Sequence, residues 1–135
     1  LSGPVLDRFD LRVEVHRPDP AALLGADPGE GTETVAARVA VARQRAEERG
    51  VAFNAAIPAD RLDDLTPLDR PARTLLEGAL RQGRLTARGL ARVRRVARTL
   101  ADLDGAPVDG ALGLEPIALA MALRTDATGY LESVA

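Results

Sequence analysis

The sequence predicts a mainly α-helical protein, a small helical bundle preceded by a single β-strand. Hydrophobic residues make up 46% of the 135 residues, but aromatic residues only 2%. A core built from Leu, Val and Ala favours packed helices over a sheet sandwich. In addition, apolar residues recur at helical spacing through the stretch from Arg84 to Gly105. The chain is therefore expected to be organised around one long amphipathic helix.

The first predicted element is the strand, at residues 10–16. Leu11, Val13 and Val15 alternate with polar side chains, which indicates a strand with one buried face. No second strand is predicted downstream, and a lone strand cannot satisfy its own backbone hydrogen bonds. We therefore expect the partners of this strand in another polypeptide or in a missing part of this one. The second option predicts that the chain is a C-terminal fragment.

Four helices are predicted after the strand, together with one short helical turn at residues 60–65. Polar caps, a proline at a first helical position and glycines at the ends set their limits. The first predicted helix is capped by Thr32 or Thr34 and runs to about Arg49, and the second is capped by Asp69 and runs from about Arg70 to Gln82. The third runs from Thr86 to Gly105, and the fourth from Leu114 to Arg124. The predicted organisation is a strand region at 1–20, a flexible loop at 21–34, a helical domain at 35–124 and a polar tail at 125–135.

The organising helix carries two stripes. Thr86 can cap its start and Gly105 can end it. The predicted apolar stripe consists of Leu90, Val93, Val96, Ala97, Leu100 and Leu103. Arg88, Arg92 and Arg95 follow i, i+4, i+7 spacing and form a second, basic stripe. An arginine-rich face is most often solvated and paired with nearby acids, so this stripe indicates a ligand only in a suitable context.

Several function classes are excluded by composition. The chain has no cysteine and only one histidine, His16, which rules out disulfides, thiol catalysis and a histidine-based metal site or triad within it. Every one of the 18 basic residues is arginine, so no lysine is present for a phosphate-binding loop. The net charge of −2 does not point to nucleic acid or to a membrane. No apolar run is long enough to span a bilayer and no signal peptide opens the chain, which predicts a cytoplasmic protein.

Three stretches of the sequence resemble the same protein family. They are S-G-P-V-L-D-R-F-D-L-R-V-E-V at the start, N-A-A-I-P with T-P-L-D in the middle, and L-T-A-R-G-L-A-R-V-R-R-V-A-R-T-L-A-D-L-D-G. Together they resemble the magnesium-chelatase-like AAA+ ATPases of the ComM/YifB type, from Ser2 to about Arg124. The resemblance implies the end of an ATPase core followed by its helical C-terminal lid. It also implies a ring-forming motor, hexameric, that binds ATP and Mg²⁺ at subunit interfaces when full-length.

The resemblance assigns roles to two arginines. Arg8, in L-D-R-F-D, matches an arginine finger, which reaches the γ-phosphate held by a neighbouring subunit. Arg88, in T-A-R, matches the lid arginine called sensor 2, which contacts ATP phosphates in its own or an adjacent subunit. Arg92 and Arg95 lie on the same face and are weaker candidates for nucleotide binding.

Each assignment has a structural alternative. Arg8 could form a salt bridge with Asp7 or Asp10, and Arg88 could be an exposed residue at a helix start. The sequence also departs from the family pattern after T-A-R, where Gly89 replaces a bulky residue.

The motifs that hold nucleotide are missing from this sequence. It contains no G-x-x-x-x-G-K-[ST] loop and no acidic run on a hydrophobic strand. The chain by itself is therefore expected neither to bind ATP tightly nor to hydrolyse it, and no cofactor is expected on it.

Three functions are compatible with these observations. The first is the lid of a motor that acts in DNA branch migration or as a helicase, with the upstream core, neighbouring subunits and DNA as candidate partners. The second is the same lid in the ATPase subunit of a magnesium chelatase. The third is a stand-alone helical module, either a scaffold or a nucleic-acid-binding unit that uses the basic face of Arg84 to Arg98.

Overall fold

The computed structural model describes residues 3–25 and 28–125. Within those ranges the chain forms seven α-helices and two 3₁₀ turns, which confirms the mainly α class. The helices are α1 (Gly3–Leu6), α2 (Pro20–Leu24), α3 (Thr32–Glu48), α4 (Leu62–Leu65), α5 (Arg70–Arg81), α6 (Ala87–Leu103) and α7 (Leu114–Arg124), and the 3₁₀ turns are Asn54–Ala56 and Ala59–Arg61. None of the helices in these ranges is long and apolar enough to cross a membrane. Apart from Thr125, the predicted tail lies outside the described residues.

Helix α6 is the centre of the bundle. It packs against α7, α3 and the 3₁₀ turn Asn54–Ala56, while α5 packs against α7. Alanines at the helix contacts let the backbones approach closely. Leu, Ile and Val side chains fill the space between the helices. The buried core consists of Ala72, Leu76, Ala79, Leu85, Val93, Ala97, Ala101, Leu112, Ile117, Ala120 and Met121. Of the stripe predicted on α6, Leu103 is exposed, because the core-facing row continues through Ala101 instead.

Local capping chemistry sets the ends of α5 and α6 as the sequence predicts. The Thr86 hydroxyl accepts the Gly89 N–H at 3.0 Å, and the Asp69 carboxylate accepts the Ala72 N–H at 2.8 Å. Gly105 follows α6 with a φ of 79°, a left-handed conformation that glycine adopts at little cost. Helix α3 differs from prediction at its start, because its N-cap is Gly31 and no side chain caps it.

The predicted strand at residues 10–16 is wrong for the structure of this chain. Residues 11–19 have no regular secondary structure, and Val13 and Val15 are 70% and 87% exposed. A strand needs a neighbouring strand to accept its hydrogen bonds, and the described residues offer none; their sole β-pairing is an isolated bridge between Leu68 and Leu112. Alternation of apolar residues was therefore not sufficient to form a strand.

A short helix occupies part of the loop predicted at 21–34. The carboxylate of Asp19 caps α2 by accepting the Ala21 N–H at 3.0 Å, and Pro20 occupies the first helical position. Proline is favoured there because its missing N–H would have no partner in any case.

Candidate functional site

The arginines of α6 differ in burial according to the face on which they lie. Arg94 and Arg98 are 7% and 0% exposed, Arg92 and Arg95 are half-buried, and Arg88 is exposed. The sequence does not predict burial of Arg94 or Arg98. Arg94 and Arg98 are therefore buried, whereas the other arginines of α6 keep some contact with solvent.

Arg94 joins α6 to the connection between α4 and α5. Its Nε donates to the Thr66 hydroxyl at 2.9 Å, and one Nη donates to the Thr66 carbonyl at 2.8 Å. The other Nη pairs with Asp63 at 2.6 Å. This hydrogen bond and the charge of Arg94 lower the pKa of Asp63 below its ordinary value of 3.8. The contacts saturate the guanidinium with protein partners, so Arg94 is structural.

A buried network surrounds Asp102, which is only 1% exposed. Its carboxylate forms a two-pronged ion pair with Arg49 and accepts the Asn54 side-chain amide at 2.8 Å. Arg98 lies beside the same carboxylate, with its Nε 3.7 Å from Oδ1, and donates to the Gly110 carbonyl at 2.7 Å. Burial lowers the pKa of Arg98, and the charge of Asp102 opposes that shift. One carboxylate thus compensates two buried guanidinium groups and ties α3 to α6.

The segment Asp7–Asp10, which contains the predicted arginine finger, is held against helices α6 and α7 by two other arginines. Arg124, at the end of α7, donates to the Phe9 carbonyl at 3.1 Å and the Asp7 carbonyl at 3.3 Å. It also forms an ion pair with the Asp7 carboxylate. Arg92 donates to the Asp7 carbonyl at 2.9 Å and lies 3.3 Å from the Asp10 carboxylate. No sequence pattern indicated Arg124, since its partners lie more than a hundred residues away.

Arg8 itself is exposed and has no side-chain partner in the part of the chain that the structure describes. Its structural alternative was a salt bridge with Asp7 or Asp10. The structure pairs those carboxylates with Arg124 and Arg92 instead. The backbone of Arg8 is therefore anchored while its guanidinium remains available.

Arg88 lies in the first turn of α6, exposed, and among residues 3–25 and 28–125 it likewise lacks a side-chain partner. Its neighbour Gly89 is buried. A Cβ there would lie 3.0 Å from Leu85 Cδ1 and 3.5 Å from Arg124 Nε. A side chain at position 89 would therefore crowd Leu85, whereas its distance to Arg124 would be an ordinary van der Waals contact. Through Arg92, the Asp7–Asp10 segment is placed beside the second turn of α6.

Arg95 and Arg92 line a small polar cavity. Arg95 donates through Nε and one Nη to the Ile57 carbonyl at 3.0 and 2.8 Å. The cavity has a volume of about 180 Å³ and is lined by Asp10, Ala55, Arg92, Arg95, Val96 and Thr99. Its two guanidinium groups suit an anion, although Asp10 already supplies one carboxylate. No cluster of acidic residues and histidine that could hold a metal ion occurs within the described ranges.

Comparison with known proteins identifies the family. The sequence of residues 29–124 matches the protein family described as magnesium chelatase, subunit ChlI C-terminal. Rv2897c, an uncharacterized protein of Mycobacterium tuberculosis, is 41% identical over 128 residues, which are 92% of this chain and 25% of that protein. YifB of Escherichia coli is 40% identical over 105 residues, 77% of this chain and 21% of YifB. Competence protein ComM of Haemophilus influenzae is 36% identical over 106 residues, 78% of this chain and 21% of ComM.

The chain therefore spans a quarter or less of the length of each of these relatives. The family match covers the helical bundle from before α3 to the end of α7. The resemblance seen in the sequence motifs is confirmed, and the chain belongs to the C-terminal domain family of magnesium-chelatase-like proteins of the ComM/YifB type.

Proposed function

We propose that this chain is the helical lid of a ring-forming, magnesium-chelatase-like ATPase, in which Arg88 contacts ATP phosphates and Arg8 acts on the nucleotide of a neighbouring subunit. One observation carries the proposal. Arg8 and Arg88 are exposed and lack side-chain partners among the described residues, whereas the arginines around them are engaged. An unpaired guanidinium on an anchored backbone is suited to an incoming phosphate.

The chemistry of phosphoryl transfer explains why arginine is required. Negative charge accumulates on the γ-phosphate oxygens in the transition state, and an arginine from a neighbouring subunit stabilises that charge. Arginine keeps its charge at any relevant pH and presents donors in a planar fork. In the full-length ring, Arg8 would supply this charge across the subunit interface. Arg88, on the lid, would contact the phosphates of ATP.

The nucleotide and its Mg²⁺ would be held mainly by an upstream core. This chain contains no P-loop lysine, because it contains no lysine. Titration calorimetry of the chain alone with ATP and Mg²⁺ should therefore show no micromolar binding. Micromolar binding would place a complete nucleotide site on the lid and contradict the proposal.

DNA is the proposed substrate of the motor, as a branch-migration or helicase activity, in preference to metal insertion into porphyrin. A relative named competence protein supports this choice. We do not propose that the lid binds DNA by itself, because Arg94 and Arg98 are buried and the basic face of α6 is smaller than its sequence suggests. A gel shift of the chain alone should remain negative at low salt, whereas salt-dependent binding would favour a nucleic-acid-binding module.

The trans role of Arg8 can be tested by complementation between two inactive full-length proteins. One carries Arg8→Ala, and the other has its P-loop lysine replaced but keeps Arg8. In mixed rings, an intact nucleotide site of the first protein can receive Arg8 from the second. We expect each protein alone to lose about a hundredfold or more in turnover, and mixtures to recover activity. Absence of recovery at every mixing ratio would contradict a finger that acts in trans.

A further inference from the structure

We propose that Arg124 is a positioning residue for Arg8, an inference that rests on the function proposed above for Arg8. The guanidinium of Arg124 contacts the residues on both sides of Arg8. It donates to the carbonyl oxygens of Phe9 and Asp7 at 3.1 and 3.3 Å, and it pairs with the Asp7 carboxylate. Fixing both flanking residues fixes the backbone of Arg8 while its side chain remains exposed.

The Arg124 contact has the properties of a specific clamp. Arg124 is only 8% exposed and Asp7 is half-buried, so solvent screens this ion pair less than a pair between two exposed side chains. Its planar fork reaches two carbonyl oxygens and a carboxylate from one rigid group. A single ammonium group could not reproduce that arrangement.

A second arginine holds the same segment from a different helix. Arg92 of α6 donates to the Asp7 carbonyl, which Arg124 of α7 also contacts, and pairs with Asp10. Helices α6 and α7 pack along one another. The Asp7–Asp10 segment is therefore expected to move together with α6, whose first turn carries Arg88.

Gly89 lies beside Arg124 and is buried. Glycine inside a helix costs about 1 kcal/mol relative to alanine. At this position, however, a Cβ would lie 3.0 Å from Leu85 Cδ1 and 3.5 Å from Arg124 Nε. The approach that disfavours a side chain here is therefore to Leu85, whereas 3.5 Å to Arg124 is an ordinary van der Waals contact.

The test compares Arg124→Gln with Arg81→Gln in the full-length ATPase. Arg81 is a matched control because it also lies in the last turn of a helix and forms an exposed ion pair, with Glu77 at 3.7 Å. We expect Arg124→Gln to lower kcat roughly ten- to a hundredfold, because a misplaced group loses transition-state contacts. KM for ATP and nucleotide affinity should stay unchanged, and Arg81→Gln should behave as wild type.

Two further variants separate positioning from general damage to the lid. In an Arg8→Ala background, Arg124→Gln should cause no additional loss of kcat, since the group that it positions is gone. Asp7→Asn removes the carboxylate charge that pairs with Arg124 and leaves α7 intact, so it keeps the test usable if Arg124→Gln does not fold. We expect Asp7→Asn to lower kcat by a smaller factor than Arg124→Gln does, and to leave KM unchanged.

Wild-type turnover in Arg124→Gln or Asp7→Asn would overturn the inference. So would a raised KM, or an equal loss of kcat in the Arg8→Ala background. A normal rate in Arg8→Ala itself would instead overturn the finger assignment, which distinguishes failure of the proposed function from failure of the positioning role.

Discussion

In the second half of α6, Arg98 is fully buried and shares one carboxylate with Arg49, which lies 53 residues before that carboxylate in the chain. In the first turn of the same helix, Arg88 is exposed and has no side-chain partner in the described ranges. Both residues belong to one arginine-rich helix, and spacing alone would treat them alike. The difference shows that the partners already present, rather than the density of positive charge, separate a structural arginine from one available to a ligand.

The largest effect on stability is expected at the buried end. Asp102→Ala should lower the free energy of unfolding by about 3–5 kcal/mol, because it leaves Arg49 and Arg98 buried without their counter-charge. Urea denaturation of the chain would measure it. Asp104→Ala is the control, since Asp104 is exposed just beyond α6, and it should change little. A loss below about 1 kcal/mol for Asp102→Ala would contradict the view that Arg98 is a structural arginine that depends on this carboxylate.

A smaller effect is expected at the start of α6. Thr86→Ala removes the hydroxyl that accepts the Gly89 N–H and should cost about 1 kcal/mol. Thr74→Ala, in the middle of α5, removes a hydroxyl that bonds only within its own helix and should stay within about 0.5 kcal/mol. Equal losses in the two variants would mean that the start of α6 is not anchored by its cap.

A pH-dependent effect is expected at Asp63 of α4, which pairs with Arg94 in the middle of α6. Its pKa is lowered in the folded state by the hydrogen bond from Arg94, and then by the charge of Arg94. The resulting stabilisation is fully present above the ordinary value of 3.8 and is lost as the pH falls through the lower folded-state pKa. The stability difference between wild type and Asp63→Asn should therefore be constant near neutrality and shrink in acid. A difference that grows in acid would contradict the assignment.

The smallest effect on stability is expected at Arg88. Arg88→Ala should change the free energy of unfolding by less than about 0.5 kcal/mol, because the side chain is exposed and makes no contact that the described residues show. A larger loss, measured by the same denaturation, would make Arg88 a structural residue like Arg98.

The features that the sequence predicted well are those that local chemistry sets. The ends of α5 and α6 follow from Asp69, Thr86 and Gly105, each of which acts within one turn of its helix. The predicted strand failed because its hydrogen-bond partners had to come from elsewhere, and the described residues supply none.

The contacts that spacing could not reveal join distant parts of the chain. Arg49 meets Asp102 across 53 residues, and Arg124 meets Asp7 across 117. The roles of Arg8, Arg88, Arg92 and Arg95 stay predictions from the resemblance, although the structure adds that Arg8 and Arg88 have exposed side chains.

The most direct test of the proposed function is the steady-state ATPase rate of the full-length protein carrying Arg88→Ala, with an unfolding midpoint for this domain that matches wild type. We expect turnover to fall at least tenfold, roughly the loss of one strong charge-assisted contact to phosphate, while this domain remains folded. A wild-type rate would show that the first turn of α6 does not contact the nucleotide. Arg88 would then be only an exposed residue at a helix start.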